Sequence, residues 1–122
     1  MTARSPSALA RFVRGFSFAG QGVWYVLRTQ RNMRVHLAAA AAAIAAGAVL
    51  GISPVGWACV ALAIGLVLAA EMFNTVIEAV VDLRAPGINP LAKIAKDVAA
   101  GAVLVTSLAA MGVAVAVFVP RL

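Results

Sequence analysis

Three long apolar runs constrain this chain more than any other feature of its sequence. They cover residues 35–52, 55 to about 81, and 98–119, and each is long enough to cross a bilayer as a helix. They raise the apolar share of the 122 residues to 64%, far above the usual value for a water-soluble domain. The sequence therefore predicts a single domain over residues 1–122, an all-α integral membrane protein with three transmembrane helices.

The positive charges are distributed unevenly around these runs. Six arginines precede the first run, the connection near residues 51–56 is uncharged, and Arg84, Lys93 and Lys96 separate the second run from the third. The positive-inside rule then places the N-terminus and the 82–97 connection in the cytoplasm and the C-terminus outside. Because the net charge of +6 is explained by topology, no nucleic-acid partner is expected. The arginine-rich segment of more than thirty residues also argues against a cleaved signal peptide.

An amphipathic helix is predicted over about residues 7–31. One narrow stripe carries its apolar side chains, with two arginines, Phe18 and Tyr25 on the opposite face. The apolar stripe consists of Leu9, Phe12, Val13, Phe16, Val23 and Leu27. Such a helix beside a membrane span is expected to lie in the cytoplasmic interface, apolar side toward the lipid.

Several single residues in the spans have structural interpretations. Gly47 and Gly51 lie four apart in a span rich in small residues, which predicts close packing against another helix in the same or a second chain. Trp57 is interpreted as an interfacial anchor and Cys59 as a small packed hydrophobe. His36, at the start of the first span, is interpreted as interfacial or structural rather than catalytic.

The acidic residues are the strongest indication of function. The chain has four, and three of them, with one asparagine, follow the uncharged segment 55–70 of the second apolar run. On a helix, Glu71, Asn74, Glu78 and Asp82 share a stripe roughly 80° wide, with Glu71 and Glu78 about 10 Å apart along the axis. Because a carboxylate at the edge of a bilayer core is costly, Glu71 is a functional-site candidate.

A second polar cluster precedes the third span. Asn89 followed by Pro90 predicts a helix start that leads through Lys96 and Asp97 into the membrane. Carboxylates that can hold Mg²⁺, a cation for phosphate and a base near the lipid are the components of phosphoryl transfer. No nucleotide-binding motif of soluble folds accompanies them.

These segments resemble a known family. The runs EMFNTVIEAVVD, from residue 71, and PLAKIAKDVAAGA, from residue 90, are similar to signature segments of the prokaryotic diacylglycerol kinase and undecaprenol kinase family. The stretch RNMRVH before the first span is also similar, so the resemblance extends from about residue 9 to 119. It implies a small homotrimeric enzyme of the bacterial cell membrane, with an amphipathic surface helix, that transfers the γ-phosphate of ATP to a lipid hydroxyl. The sequence of residues 90–101 more closely resembles the undecaprenol kinase branch of the family.

The resemblance also implies roles for individual residues at the membrane edge. Glu71 would be the base that acts on the lipid alcohol, and Asn74 would help to order the site. Glu78 would be a metal ligand.

On the cytoplasmic side, the resemblance implies contacts with the nucleotide. Lys96 and Asp97 would contact its phosphates and the metal, and Arg11 would contact ATP from the surface helix. Phe18 occupies an aromatic position of the family but lacks a tyrosine hydroxyl. Asn89 stands where a histidine is common.

One departure from the family pattern concerns the metal. A second metal-binding glutamate of the family falls at Gln30, which offers only a neutral amide oxygen. Mg²⁺ affinity or activity is therefore expected to be weakened.

Two alternatives stay open at this stage. A small proton-coupled transporter or channel subunit could use Glu71 as a relay carboxylate, although such a site should lie near the bilayer midplane. A kinase-derived binding protein, weakened by Gln30, is the other.

Overall fold

The computed structural model describes residues 3–122, which form four α-helices and a short 3₁₀ turn, with no β-strand in this range. The helices are α1 (Ala8–Thr29), α2 (Arg31–Leu50), α3 (Pro54–Arg84) and α4 (Pro90–Phe118), and the turn is Val119–Arg121. The predicted all-α fold is confirmed.

Local capping explains where three of the helices begin. Ser7 accepts a hydrogen bond from the Ala10 amide at 3.1 Å, and Ser53 accepts one from the Gly56 amide at 3.0 Å. Asn89 accepts two, from the first residues of α4, so the predicted N-cap is confirmed. Proline occupies the first turn of α3 and of α4, where its missing N–H has no helical partner to lose.

The first two helices are separated by one residue. Gln30 is extended (φ −108°, ψ 113°) and serves both as the C-cap of α1 and as the N-cap of α2. α2 therefore starts at Arg31, four residues before the apolar run of the sequence. At its other end, α2 stops at Gly51, whose φ of 61° is a left-handed conformation that favours glycine.

Three helices are long and apolar enough to cross a membrane: Arg31–Leu50, Pro54–Arg84 and Pro90–Arg121. This confirms the predicted number of spans. α3 has 31 residues, so it is roughly 46 Å long, against about 30 Å for a hydrocarbon core. One end of α3 must therefore project beyond the core.

The helices pack as an antiparallel hairpin series in which α3 contacts both α2 and α4. Near the α2–α3 turn, a Cβ on Gly47 would lie 2.8 Å from Cη2 of Trp57, so the indole packs directly on the α2 backbone. Arg121 closes the same end by donating a hydrogen bond to the Gly51 carbonyl oxygen at 2.8 Å. Trp57 is thus a packing residue, and Gly51 is a helix cap rather than a packing glycine.

The opposite end of the bundle holds a second group of buried residues. Val26 at the end of α1 and Met33 at the start of α2 are 5% and 2% exposed. α3 contributes Glu71, Asn74 and Thr75, all buried. This group joins the surface helix to the spans.

Most of the remaining apolar surface is exposed. Leu9, Phe12, Val13 and Phe16 project from α1 with more than half of their surface exposed, as expected for side chains that enter lipid. The one buried residue of α1 is Val26, which lay outside the predicted stripe. No residue of α4 is buried, so an apolar environment must cover it.

The contact between Gly47 and Trp57 predicts that Gly47→Ala destabilises the fold. An added methyl group would have to displace the indole ring, and overpacking of this kind costs about 1–3 kcal/mol. Circular dichroism in detergent micelles measures the thermal unfolding midpoint, and this midpoint should be lower in the variant.

Gly15→Ala is the matched control, because a Cβ at Gly15 meets no atom within 4 Å. It should cause no loss of stability. In a Trp57→Leu background, Gly47→Ala should cost less than in the native chain. Equal costs in the two backgrounds would contradict the packing described here.

Candidate functional site

The polar stripe of α3 passes from a buried to an exposed environment. Glu71 is 1% exposed and Asn74 is 8% exposed, whereas Glu78 is half-buried and Asp82 is exposed. Counting from Pro54, Glu71 lies roughly 26 Å along the axis, near the far edge of a hydrocarbon core of about 30 Å. The stripe therefore has a buried, or dry, end at Glu71 and an exposed, or wet, end at Asp82.

Glu71 faces a histidine on the neighbouring helix. His36 Nε2 of α2 lies 3.6 Å from Glu71 Oε2, and the two side chains are 21% and 2% exposed. The contact of His36 with Glu71 is not predicted by the sequence, which favours an interfacial or structural histidine. The sequence numbering of an antiparallel helix pair could have indicated this contact. His36 lies eleven residues before Gly47 on α2, and Glu71 lies fourteen residues after Trp57 on α3. Measured from the Gly47–Trp57 contact, the two residues therefore differ in height by less than one helical turn.

Three buried polar atoms have no hydrogen-bond partner within the described residues: Glu71 Oε2, Asn74 Oδ1 and Ser107 Oγ. The nearby Thr75 hydroxyl donates to the main-chain carbonyl of Glu71 at 3.0 Å and does not serve the carboxylate. Buried polar atoms are nearly always paired, so each of these three atoms is a candidate contact for a bound ligand or an ordered water.

An apolar groove of about 270 Å³ lies beside this level of the bundle, between α2, α3 and α4. His36 and Ser107 contribute its polar atoms, and the rest of the wall is mainly alanine with Val67, Met111 and Phe118 among the larger side chains. Ser107 lies eleven residues after Lys96 on α4, and Glu71 lies eleven residues before Asp82 on α3. Because Lys96 and Asp82 are in contact, Ser107 and Glu71 lie at the same height in the bundle. The groove suits an apolar chain that ends in a polar group.

At the wet end of the stripe, α3 and α4 are joined by an ion pair. Lys96 Nζ lies 2.5 Å from Asp82 Oδ1, and Lys93 Nζ lies 2.6 Å from Asp97 Oδ2 within α4. The neighbouring residues Lys96 and Asp97 thus pair with different partners, because adjacent helix positions diverge by about 100°.

The remaining candidates lie at the surface. Arg11 donates a hydrogen bond to the Pro6 carbonyl oxygen at 2.9 Å, and Phe18 is 62% exposed. The Asn89 side-chain oxygen accepts from the Leu91 and Ala92 amides at 2.9 and 3.1 Å. The acceptor of Asn89 is thus committed to capping α4.

The donors expected for Mg²⁺ are few. Within residues 3–122, no three His, Cys, Asp or Glu side chains form a metal-binding group. Glu78 has no Lys, Arg or His partner within 4 Å in the described chain. Gln30 uses its amide nitrogen toward Thr29, at 3.4 Å, which leaves its oxygen available. One carboxylate and one amide oxygen suit an ion that keeps most of its ligands as water and phosphate, as Mg²⁺ does.

Comparison with known proteins shows which family this sequence resembles. The family model for prokaryotic diacylglycerol kinase matches residues 17–118. An undecaprenol kinase of Bacillus subtilis (strain 168) is 41% identical over 114 residues, which cover 93% of each chain. A diacylglycerol kinase of Synechocystis sp. is 43% identical over 108 residues, covering 88% of this chain and 62% of the relative.

Three spans, a buried carboxylate on the second of them and these similarities define the class as an integral-membrane lipid kinase. The chain belongs to the prokaryotic diacylglycerol kinase family, since the family model covers most of its length and the relatives share more than two fifths of the aligned residues. Membership of a kinase family disfavours the transporter alternative.

The capping role of Asn89 can be separated from a contact with nucleotide. Asn89→Ala should lower the unfolding free energy by about 1 kcal/mol, because two α4 amides lose their acceptor. Asn89→Asp should keep the stability, since aspartate caps equally well. Denaturant titration in micelles measures both, and equal losses in the two variants would contradict the cap.

Proposed function

We propose that this lipid kinase transfers the γ-phosphate of ATP to the hydroxyl of undecaprenol, with diacylglycerol as the second candidate. The relative that matches this chain over 93% of both lengths is named undecaprenol kinase. The relative named diacylglycerol kinase is matched over 62% of its own length. The similarity thus favours the polyprenyl alcohol.

The observation that carries the proposal is the buried Glu71 carboxylate with an unpaired oxygen, roughly 26 Å along the α3 span from Pro54. A lipid alcohol presents its hydroxyl at this depth while its chain stays among apolar side chains. Glu71 would accept the hydroxyl proton as the lipid oxygen attacks the γ-phosphorus and ADP leaves. Asn74 lies on the same face of α3, three residues on, and its unpaired Oδ1 would orient the hydroxyl.

The exposed ends of α3 and α4 would hold the nucleotide. Lys96 would exchange its contact with Asp82 for phosphate oxygens, and Asp97 would lie one residue further along α4. Arg11 and Phe18, both exposed on α1, would contact ATP from the surface helix. Asn89 would act there through its amide nitrogen, because its oxygen caps α4.

Glu78 and Gln30 would hold Mg²⁺, which would neutralise phosphate charge during transfer. Both side chains are half-buried, and Glu78 lies between the buried Glu71 and the exposed Asp82 along α3. A neutral amide at Gln30 supplies a weaker ligand than a carboxylate, because Mg²⁺ favours charged oxygen. We therefore propose a functional kinase with a reduced affinity for the metal.

The surroundings of the site complete the proposal. The arginines of α1 and α2 and the α3–α4 connection would lie in the cytoplasm of a bacterium, where ATP is, and Leu122 outside. The uncovered apolar surface of α4 supports a homotrimer in which neighbouring subunits close each site.

A transfer assay tests the function. Purified protein in mixed micelles should move label from γ-³²P-ATP to undecaprenol, and more slowly to diacylglycerol. Label on neither lipid would refute the proposal, and faster transfer to diacylglycerol would reverse the choice of substrate.

In the same assay, Glu71→Gln should lower kcat by about 100-fold or more, since the amide cannot accept the hydroxyl proton. Expression and assembly should be unchanged, because removing a buried charge does not destabilise a membrane helix. Glu71→Asp, which keeps a shorter carboxylate, should retain intermediate activity. Near-normal turnover of Glu71→Gln would remove Glu71 from the mechanism.

The metal assignment predicts a gain from Gln30→Glu. A carboxylate at this position should lower the Mg²⁺ concentration for half-maximal activity, with little change in lipid preference. The measurement is a Mg²⁺ titration of the native protein and the variant. Gln21→Glu is the matched control, since Gln21 is exposed on α1, nine residues before Gln30, and the change in charge is identical. Equal shifts in both variants would indicate a general charge effect.

A further inference from the structure

We infer that His36 receives the proton that Glu71 takes from the lipid hydroxyl and passes it toward water. This inference deepens the proposed function and depends on it. His36 acts here through Glu71, as a positioning and proton-transfer residue, and need not touch the substrate. The observation behind it is the 3.6 Å separation between His36 Nε2 and Glu71 Oε2.

The burial of Glu71 creates the need for such a residue. A base that is 1% exposed becomes a buried carboxylic acid once it has accepted a proton, and it must lose that proton before the next turnover. The Thr75 hydroxyl is committed to a main-chain carbonyl. Glu71 therefore needs a neighbouring proton acceptor with a route to solvent.

His36 meets both requirements. Its side chain is 21% exposed, against 2% for Glu71, and it lies five residues, or about 7.5 Å, from the first residue of α2, so it can connect the buried carboxylate with that end of the bundle. Imidazole can both accept and release a proton near neutral pH, which no other uncharged side chain does readily. The 3.6 Å separation exceeds a hydrogen bond, but such contacts often tighten when substrate is bound.

The surroundings of His36 supply no competing carrier along the groove. The groove residues that α3 and α4 contribute beside it are uncharged. Lys93 and Lys96, the cations of α4, are paired with Asp97 and Asp82. Among residues 3–122, Glu71 is the one carboxylate within 4 Å of His36.

The proton balance of one turnover is then complete. The lipid O–H bond breaks as the new O–P bond forms, and the proton goes to the Glu71 carboxylate while ADP leaves. The Glu71 acid next gives this proton to the imidazole, which restores the carboxylate. The imidazolium releases it to water, so that both residues return to their initial states and one proton leaves the protein.

The test uses His36→Ala and His36→Gln in the transfer assay. Both should lower kcat by about 10- to 100-fold, with KM for ATP and lipid changed by less than about threefold. Glutamine keeps a polar side chain but cannot accept and release a proton. If His36 had a purely structural role, glutamine would therefore largely replace it. Added imidazole should restore a large part of the kcat of His36→Ala and leave His36→Gln unchanged.

Met33→Ala is the matched control for imidazole rescue. Met33 lies on the same helix and is 2% exposed, so its truncation opens a buried space without removing a proton carrier. Imidazole should not stimulate it. Native-like kcat of His36→Gln, or equal stimulation of Met33→Ala, would overturn the inference while leaving the kinase intact. A native protein that labels no lipid would instead refute the proposed function and the inference with it.

Discussion

The buried carboxylate of Glu71 is the feature on which the rest of the structure depends. Placing a charge where water is nearly excluded costs several kcal/mol. Helices α1 and α2 both contact α3, and Val26 and Met33 are buried at the same end of the bundle. In the proposed reaction the surface helix would help to keep the carboxylate away from water.

Helix α3 orders the site by depth. Glu71 is buried, Glu78 half-buried and Asp82 exposed along one face of a continuous helix. A straight helix with an uninterrupted hydrogen-bond ladder holds these groups at fixed heights of about 1.5 Å per residue. In the proposed reaction a lipid substrate would approach the buried end of this face and a charged nucleotide its exposed end, so one helix could meet both without a change in its own conformation.

The sequence predicted those features that depend on one segment at a time. Apolar length predicted the three spans, the Asn89-Pro90 pair predicted the start of α4, and helical spacing predicted the shared face of Glu71 and Asn74. Features that depend on two helices were missed. The approach of His36 to Glu71 follows from the contact of Gly47 with Trp57, which fixes the height of α2 against α3. The partners of Lys93 and Lys96 likewise depend on how α4 is rotated against α3.

The position of Gln30 explains how the proposed metal site can change in charge without changing in shape. Gln30 is the single extended residue between α1 and α2, and the buried Val26 and Met33 lie four residues before and three residues after it. Packing on both sides therefore holds this junction in place, whichever side chain occupies it. An amide here keeps an oxygen at the same height as a glutamate would, with less charge. The metal would then be held increasingly by Glu78 and by the phosphates that accompany it, and its affinity would depend on bound nucleotide.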